Sequence, residues 1–203
     1  MSFAVRNLAC QRAEQLVFEN VSFSIASGEA IWVRGRNGAG KSSLLRICAR
    51  LLSPLAGEIT WNDEDIYKDS EAYVGSYHYL GHQEALKYAM TVRENIGFWS
   101  AFHGKEDVAS ALEQFDLQKL ADTPTGLLSQ GQKKRTNLAR LVASSAKLWI
   151  LDEPLSALDT HYIALFKGRL IRHLAAGGMA LFATHQDLEL EQVKLLDLDD
   201  GAL

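Results

Sequence analysis

Cysteine, long apolar runs and an excess of positive charge are all missing or scarce in this chain, and each shortage closes a route. Only Cys10 and Cys48 occur in 203 residues, too few and too far apart for a disulfide framework. They read as small core residues, in keeping with a reducing cytosol. No C-x-x-C-H run is present, which argues against covalent haem attachment to this chain. No apolar stretch approaches the eighteen or so residues that span a bilayer, and residues 1–7 lack the apolar stretch of a signal peptide. Any membrane role is therefore expected to come through a partner. Lys and Arg number 21 against 25 Asp and Glu, a formal charge of -4, so no nucleic-acid-binding face is expected. There is no internal repeat and no low-complexity tail. The remaining composition is ordinary for one globular domain with a sizeable core.

Apolar patterning predicts strands at Ala4–Leu8, Leu16–Ile25, Ala30–Val33, Gly57–Trp61, Tyr77–Leu80, Leu148–Leu151, Met179–Ala183 and Val193–Leu198. Helical spacing follows Lys41 through Leu44, Leu45, Ile47, Cys48 and Leu51, with Pro54 expected to stop it. A mostly helical region runs roughly from Thr91 to Leu120, and two further helices start at Ser129 and His161. Asp122–Gly126 and Gly177-Gly178 read as breaks.

Gly35-Arg36-Asn37-Gly38-Ala39-Gly40-Lys41-Ser42 fits the phosphate-loop pattern G-x-x-x-x-G-K-[ST] without exception. Its glycines let backbone N–H groups turn inward around phosphates. Lys41 supplies a point charge, the Ser42 hydroxyl is placed for Mg²⁺, and the following helix adds its positive end. The bland alternative is a glycine-rich turn with an exposed lysine. It leaves the full eight-residue match between a strand and a helix unexplained. Asp152 closes a buried strand, which puts a carboxylate at the carboxyl edge of the sheet beside the loop. Glu153 leaves that strand and is a candidate to polarise a water. Ser129 can cap its helix, and with Gly131 it makes a second anion site.

Taken in order, the phosphate loop, Leu128-Ser129-Gln130-Gly131-Gln132 and Leu148-Trp149-Ile150-Leu151-Asp152-Glu153 resemble the ATP-binding subunit of ABC transporters over nearly the whole chain. That resemblance implies an α/β P-loop NTPase of the ABC ATPase type, forming one domain over 1–203. It would have a mixed sheet core, an antiparallel β subdomain and a helical subdomain inserted at roughly 84–144. It implies Mg²⁺ with ATP, the nucleotide bound by Gly35, Arg36, Asn37, Gly38, Ala39, Gly40, Lys41, Ser42 and Ser43. Ser42, Gln83 and Asp152 would face the metal. Glu153 would be the general base, His185 the switch histidine on the γ-phosphate, and Gln83 the residue that contacts Mg²⁺ and water while sensing a membrane partner. Ser129, Gln130, Gly131, Gln132 and Asp159 would act in trans, on the ATP of a second copy packed head to tail.

Two positions depart from the family pattern. Gln130 stands where the family usually has Gly, and Arg12 falls where an aromatic usually stacks on adenine. An arginine plane can also stack and adds cation–π attraction; a solvated loop arginine is the competing reading.

Within the family, the segments around residues 7–12, 80–83 and 148–159 look like the ATP-binding subunit of the cytochrome c maturation (haem exporter) system. That implies a cytoplasmic subunit docked on an integral membrane permease at the inner membrane. Its ATP hydrolysis would release a haem-loaded chaperone on the far side. The short helical insert and the early end after the last strand point away from importers with regulatory extensions. Another ABC transporter with a different substrate remains open, as does a soluble ABC ATPase outside transport. A P-loop nucleotide kinase would have no use for the Ser129 helix or Gln83. His78 and His82 invite a haem-ligand reading, but two nearby histidines on a strand–loop edge carry no ligand geometry.

Overall fold

Two sheets with different pairing rules divide the chain. The computed structural model describes residues 1–68, 70–82, 84–104, 107–190 and 193–199. Strands β1 (Ser2–Arg12) and β2 (Gln15–Ala26) form a hairpin closed by Ala13 and Glu14, both at positive φ, with Arg12 opposite Gln15 at its tip. A two-residue turn with both φ positive matches the right-handed twist of the flanking strands. Strand β3 (Ala30–Arg34) leads through the glycine loop into α1 (Lys41–Cys48). Next come β4 (Ala56–Trp61), β5 (Glu64–Asp65), α2 (Ser70–Val74) and β6 (Tyr77–Leu80). Helices α3 (Val92–Phe102), α4 (Val108–Gln114) and α5 (Gln130–Val142) follow. The chain continues with β7 (Leu148–Asp152), α6 (Thr160–Ala175), β8 (Met179–Ala183) and β9 (Val193–Asp197).

The antiparallel sheet has the order β2-β1-β4-β5, and the second sheet, wholly parallel, has the order β6-β7-β8-β3-β9. The two pairing modes of the expected mixed core are thus kept in separate sheets. β1 carries irregular register around Asn7, whose φ is 48. A Cβ on Gly57 would lie 2.6 Å from Asn7 O and from Leu8 Cα, so only glycine lets β4 approach that bulge.

The central strands of the parallel sheet are buried on both faces, and their side chains alternate between two cores. Ile31, Val33, Ile150 and Leu181 point into one, with Leu44, Leu45 and Ile47 of α1 and Phe3, Val5 and Ile25 of the antiparallel sheet. Trp149, Leu151, Ala180 and Phe182 point into the other, with Ile96, Leu112, Leu138 and Phe166 from α3 to α6. Cover on both sides is why these strands read as continuous apolar runs. Each fully buried leucine or isoleucine stabilises by about 1.5–3 kcal/mol. Cys10 and Cys48 are free and buried among them, and burial pushes the Cys48 thiol well above its usual range.

Pro54 does not end the first helix. α1 stops at Cys48, and the chain turns away at Arg50, whose φ is 55. Two short elements, β5 and α2, carry no periodic signal in the sequence.

Candidate functional site

At the carboxyl ends of β3 and β7 lies a cavity of about 390 Å³ lined by Asn37, Gly38, Gly40, Lys41, Ser42 and Ser43 of the loop and helix. Arg12 and Val17 border it from the hairpin, and His82, Asp152, Glu153 and His185 border it from the parallel sheet. Gly40 is the N-cap of α1, at φ 99 and without a side-chain cap bond, so the helix N-terminus is left open toward this space. Free N–H groups and the helix dipole make such an end an anion site. A Cβ on Gly40 would fall 2.6 Å from Val17 Cγ1 and 2.8 Å from Phe18 Cδ1. The hairpin thus presses on the loop at the position where only glycine fits.

Lys41 Nζ donates to Gly35 O at 2.7 Å and to Arg36 O at 3.0 Å. The ammonium is held by the loop's own carbonyls. Gly35, Arg36 and Ala39 face neighbouring clefts rather than the main cavity. Arg36 is instead tied down from outside. Its N–H donates to Asp199 Oδ2 at 2.8 Å, and its Nε lies 3.4 Å from Asp199 Oδ1.

Asp152 is 2% exposed at the end of β7. Its Oδ1 accepts from Ser42 Oγ at 3.0 Å, while Oδ2 is buried with no hydrogen-bond partner. A buried carboxylate with an orphaned oxygen is costly unless a cation completes it. Carboxylate and hydroxyl oxygens are also the donors a hard divalent ion takes, so the pair fits Mg²⁺.

Glu153 sits in the left-handed region at φ 51, a conformation that costs a non-glycine residue about 1–3 kcal/mol. Its N–H donates to Ala183 O at 2.9 Å; its carbonyl accepts from Lys134 Nζ at 2.7 Å and from Ser156 Oγ at 3.1 Å. The carboxylate Oε1 lies 3.5 Å from His185 Nε2, with the Glu153 side chain 20% exposed and that of His185 63%. Loop, carboxylate pair and histidine therefore line one cavity. Gln83 lies outside the described residues.

Ser129, Gln130, Gly131, Gln132 and Asp159 are not among the residues lining the cavity. Ser129 is the N-cap of α5 in a capping box: Gln132 N donates to Ser129 Oγ at 3.3 Å, and Ser129 N donates to Gln132 Oε1 at 2.9 Å. Gln130 is exposed in the first turn. Asp159 caps α6 by accepting from Tyr162 N at 3.1 Å. His78 is buried and stacks on His103 with centroids 4.8 Å apart, whereas His82 borders the cavity.

Lys134, Asp199 and Val17 were not legible as site residues. Their partners Glu153, Arg36 and Gly40 stand far off in the chain, and no local pattern marks such pairs.

The ABC transporter family model matches residues 18–156. The chain is 47% identical over 202 residues to the cytochrome c biogenesis ATP-binding export protein CcmA of Rhodospirillum rubrum, covering 98% of this chain and 87% of that one. The protein of that name from Haemophilus ducreyi is 41% identical, with 98% and 97% covered. Among solved structures, an ABC transporter ATP-binding protein from Pyrococcus furiosus superposes with a TM-score of 0.85 at 24% identity, covering 98% of each chain. A bacterial Atm1-family ABC exporter with ATP bound gives 0.83 at 22% identity, covering the whole of this chain and 37% of that one. With its phosphate loop, the helix capped by Ser129 and the acidic pair Asp152-Glu153 in that order, the chain belongs to the ABC transporter family, among its cytochrome c biogenesis ATP-binding subunits.

Proposed function

We propose that this chain binds and hydrolyses ATP at a site shared by two copies, and that the closure driven by ATP binding is passed to a membrane permease of cytochrome c biogenesis. The observation that carries the reading is the convergence of Lys41, the Ser42–Asp152 pair, Glu153 and His185 on one cavity. Lys41 and the N-terminal N–H groups of α1 bind the phosphates and offset their charge. Ser42 and Asp152, with Gln83, would hold Mg²⁺, which would offset the negative charge that develops on the phosphates. Glu153 takes a proton from the attacking water, and His185, whose Nε2 lies 3.5 Å from Glu153 Oε1, donates toward the γ-phosphate. Arg12, at the hairpin tip, stacks on the base.

Ser129, Gln130, Gly131, Gln132 and Asp159 do not line their own cavity, which fits a role on the nucleotide of a second copy. Among the described residues no helix is long and apolar enough to cross a membrane. An integral permease would hold the subunit at the cytoplasmic face of the bacterial inner membrane, docking on the surface around Gln83, residues 84–90 and the helical insert at roughly 84–144. The coupled event is haem export or release of a haem-loaded chaperone.

In the native host, Lys41→Ala or Glu153→Gln should leave apocytochromes exported but without covalent haem, read on haem-stained gels of soluble and membrane fractions. Normal c-type cytochromes in a clean deletion strain with no second copy of the gene would remove the haem assignment and leave the ATPase reading standing.

A further inference from the structure

A lysine buried to 2% exposure is costly unless it does something specific. Lys134 lies on α5, five residues beyond the Ser129 cap, and its Nζ donates to the carbonyl of Glu153 at 2.7 Å. Burial pushes its pKa below the usual range, while the carboxylates of Glu84, Glu153 and Asp152 oppose that shift. The carbonyl it holds belongs to the residue at φ 51. A left-handed glutamate keeps its side-chain direction only if the peptide groups on both sides are fixed. Ala183 O fixes the N–H, and Lys134 with Ser156 fixes the carbonyl. Ser156 belongs to the same turn and moves with it. Lys134 is the donor that arrives from another element.

We infer that Lys134 is a positioning residue for the hydrolytic carboxylate: it fixes the Glu153 carbonyl, aims that side chain into the cavity, and ties it to the helix that begins at Ser129. This rests on the reading of Glu153 as the base and of Ser129 as the contact to a second copy's nucleotide. Its consequence is a link between two sites. When the N-terminus of α5 engages phosphate on the neighbouring copy, any shift of that rigid helix moves Lys134 and therefore the Glu153 peptide. Each copy's base is thus set by whether its own signature helix is engaged.

The test uses the full-length chain and ATP with Mg²⁺. Lys134→Met keeps length and volume but has neither charge nor donor. Its kcat should fall about 10- to 100-fold, the scale expected when a reacting group is misplaced by about 1 Å, while ATP affinity stays within about twofold. Lys134→Gln keeps a donor one methylene short and should lie between parent and Met in kcat. On a Glu153→Gln background, Lys134→Met should lower the residual rate no further, since the base it aims is already gone.

A parent-like kcat in folded Lys134→Met overturns the inference. So does a loss of affinity matching the loss of rate, or a further loss on the Glu153→Gln background, because either marks a merely structural role. If the Met variant does not fold, Lys134→Gln decides: a lower kcat at unchanged affinity supports the inference, and a parent-like kcat overturns it. Turnover near the parent's in Glu153→Gln alone would remove the base itself, an outcome separate from an inactive Glu153→Gln beside a normal Lys134→Met.

Discussion

Single residues in the phosphate loop have separable tasks, and their contacts rank the expected losses. Lys41→Ala removes the loop cation that the Gly35 and Arg36 carbonyls hold in place, so nucleotide affinity should collapse in a titration. Asp199 acts on the same turn from outside. Its ion pair with Arg36 is exposed and contributes little, whereas the hydrogen bond it accepts from Arg36 N fixes the backbone. Asp199→Ala should therefore weaken ATP binding about two- to tenfold, matching one hydrogen bond. Asp199→Asn, which keeps an acceptor, should bind like the parent; equal weakening in both would make charge the cause. At the hairpin tip, Arg12→Ala should cost about tenfold in affinity and Arg12→Tyr should restore it, since any planar group can stack. Unchanged affinity in Arg12→Ala would mean that the base is held elsewhere. The loop was legible because eight neighbouring residues carry it. Lys134 and Asp199 were not, because a lysine inside a polar-looking helix and an aspartate near the end of the chain acquire meaning only from the backbone groups that folding brings to them.

Elements in this fold are defined most sharply where their ends are capped. Thr91 and Ser129 each close a capping box, with Glu94 and Gln132 as reciprocal partners. The sequence shows such ends as a small polar residue three places before Glu or Gln, and both helices start where that pattern puts them. The buried strands β7 and β8 were legible for a different reason: every residue in each is buried, so composition alone marks them. The exit from α1 was not legible, since the turn at Arg50 is a local backbone choice and Pro54 lies beyond it. Ser129→Ala tests the cap itself. Without nucleotide, the loss of about 1 kcal/mol should lower the melting temperature by about 2–4 °C. An unchanged melting temperature would mean that the cap contributes nothing to the isolated chain, leaving the contact in trans as the sole use of Ser129.

For the whole molecule, buried His78 and His103 and half-buried His173 make stability depend on pH in one direction. Burial pushes His173 down to about 4, His78 well below its usual range and His103 down as well. Their folded values lie below the unfolded value near 6.5, so the unfolded chain takes up protons first as pH falls. Stability is complete above about pH 6.5 and declines below it, by about 1.4 kcal/mol per pH unit for each group in its window. His173 stacks on Trp149 at 3.9 Å; in His173→Gln the decline between about pH 6.5 and 4 should be shallower by one such increment, read from urea midpoints. An unchanged slope would mean that His173 is not the titrating group.

The same scale decides the central claim, a composite site completed by a second copy with Glu153 as its base. Glu153→Gln should bind ATP and accumulate as a nucleotide-bound dimer, since Lys41, Ser42 and the contact from Ser129 are spared. The most direct measurement is steady-state ATP turnover per chain across a dilution series, for the parent and for Glu153→Gln. Turnover should rise with protein concentration in the parent and lie about 100- to 10,000-fold lower in Glu153→Gln throughout. Turnover independent of concentration down to the highest dilution, or a Glu153→Gln rate near the parent's, would contradict it.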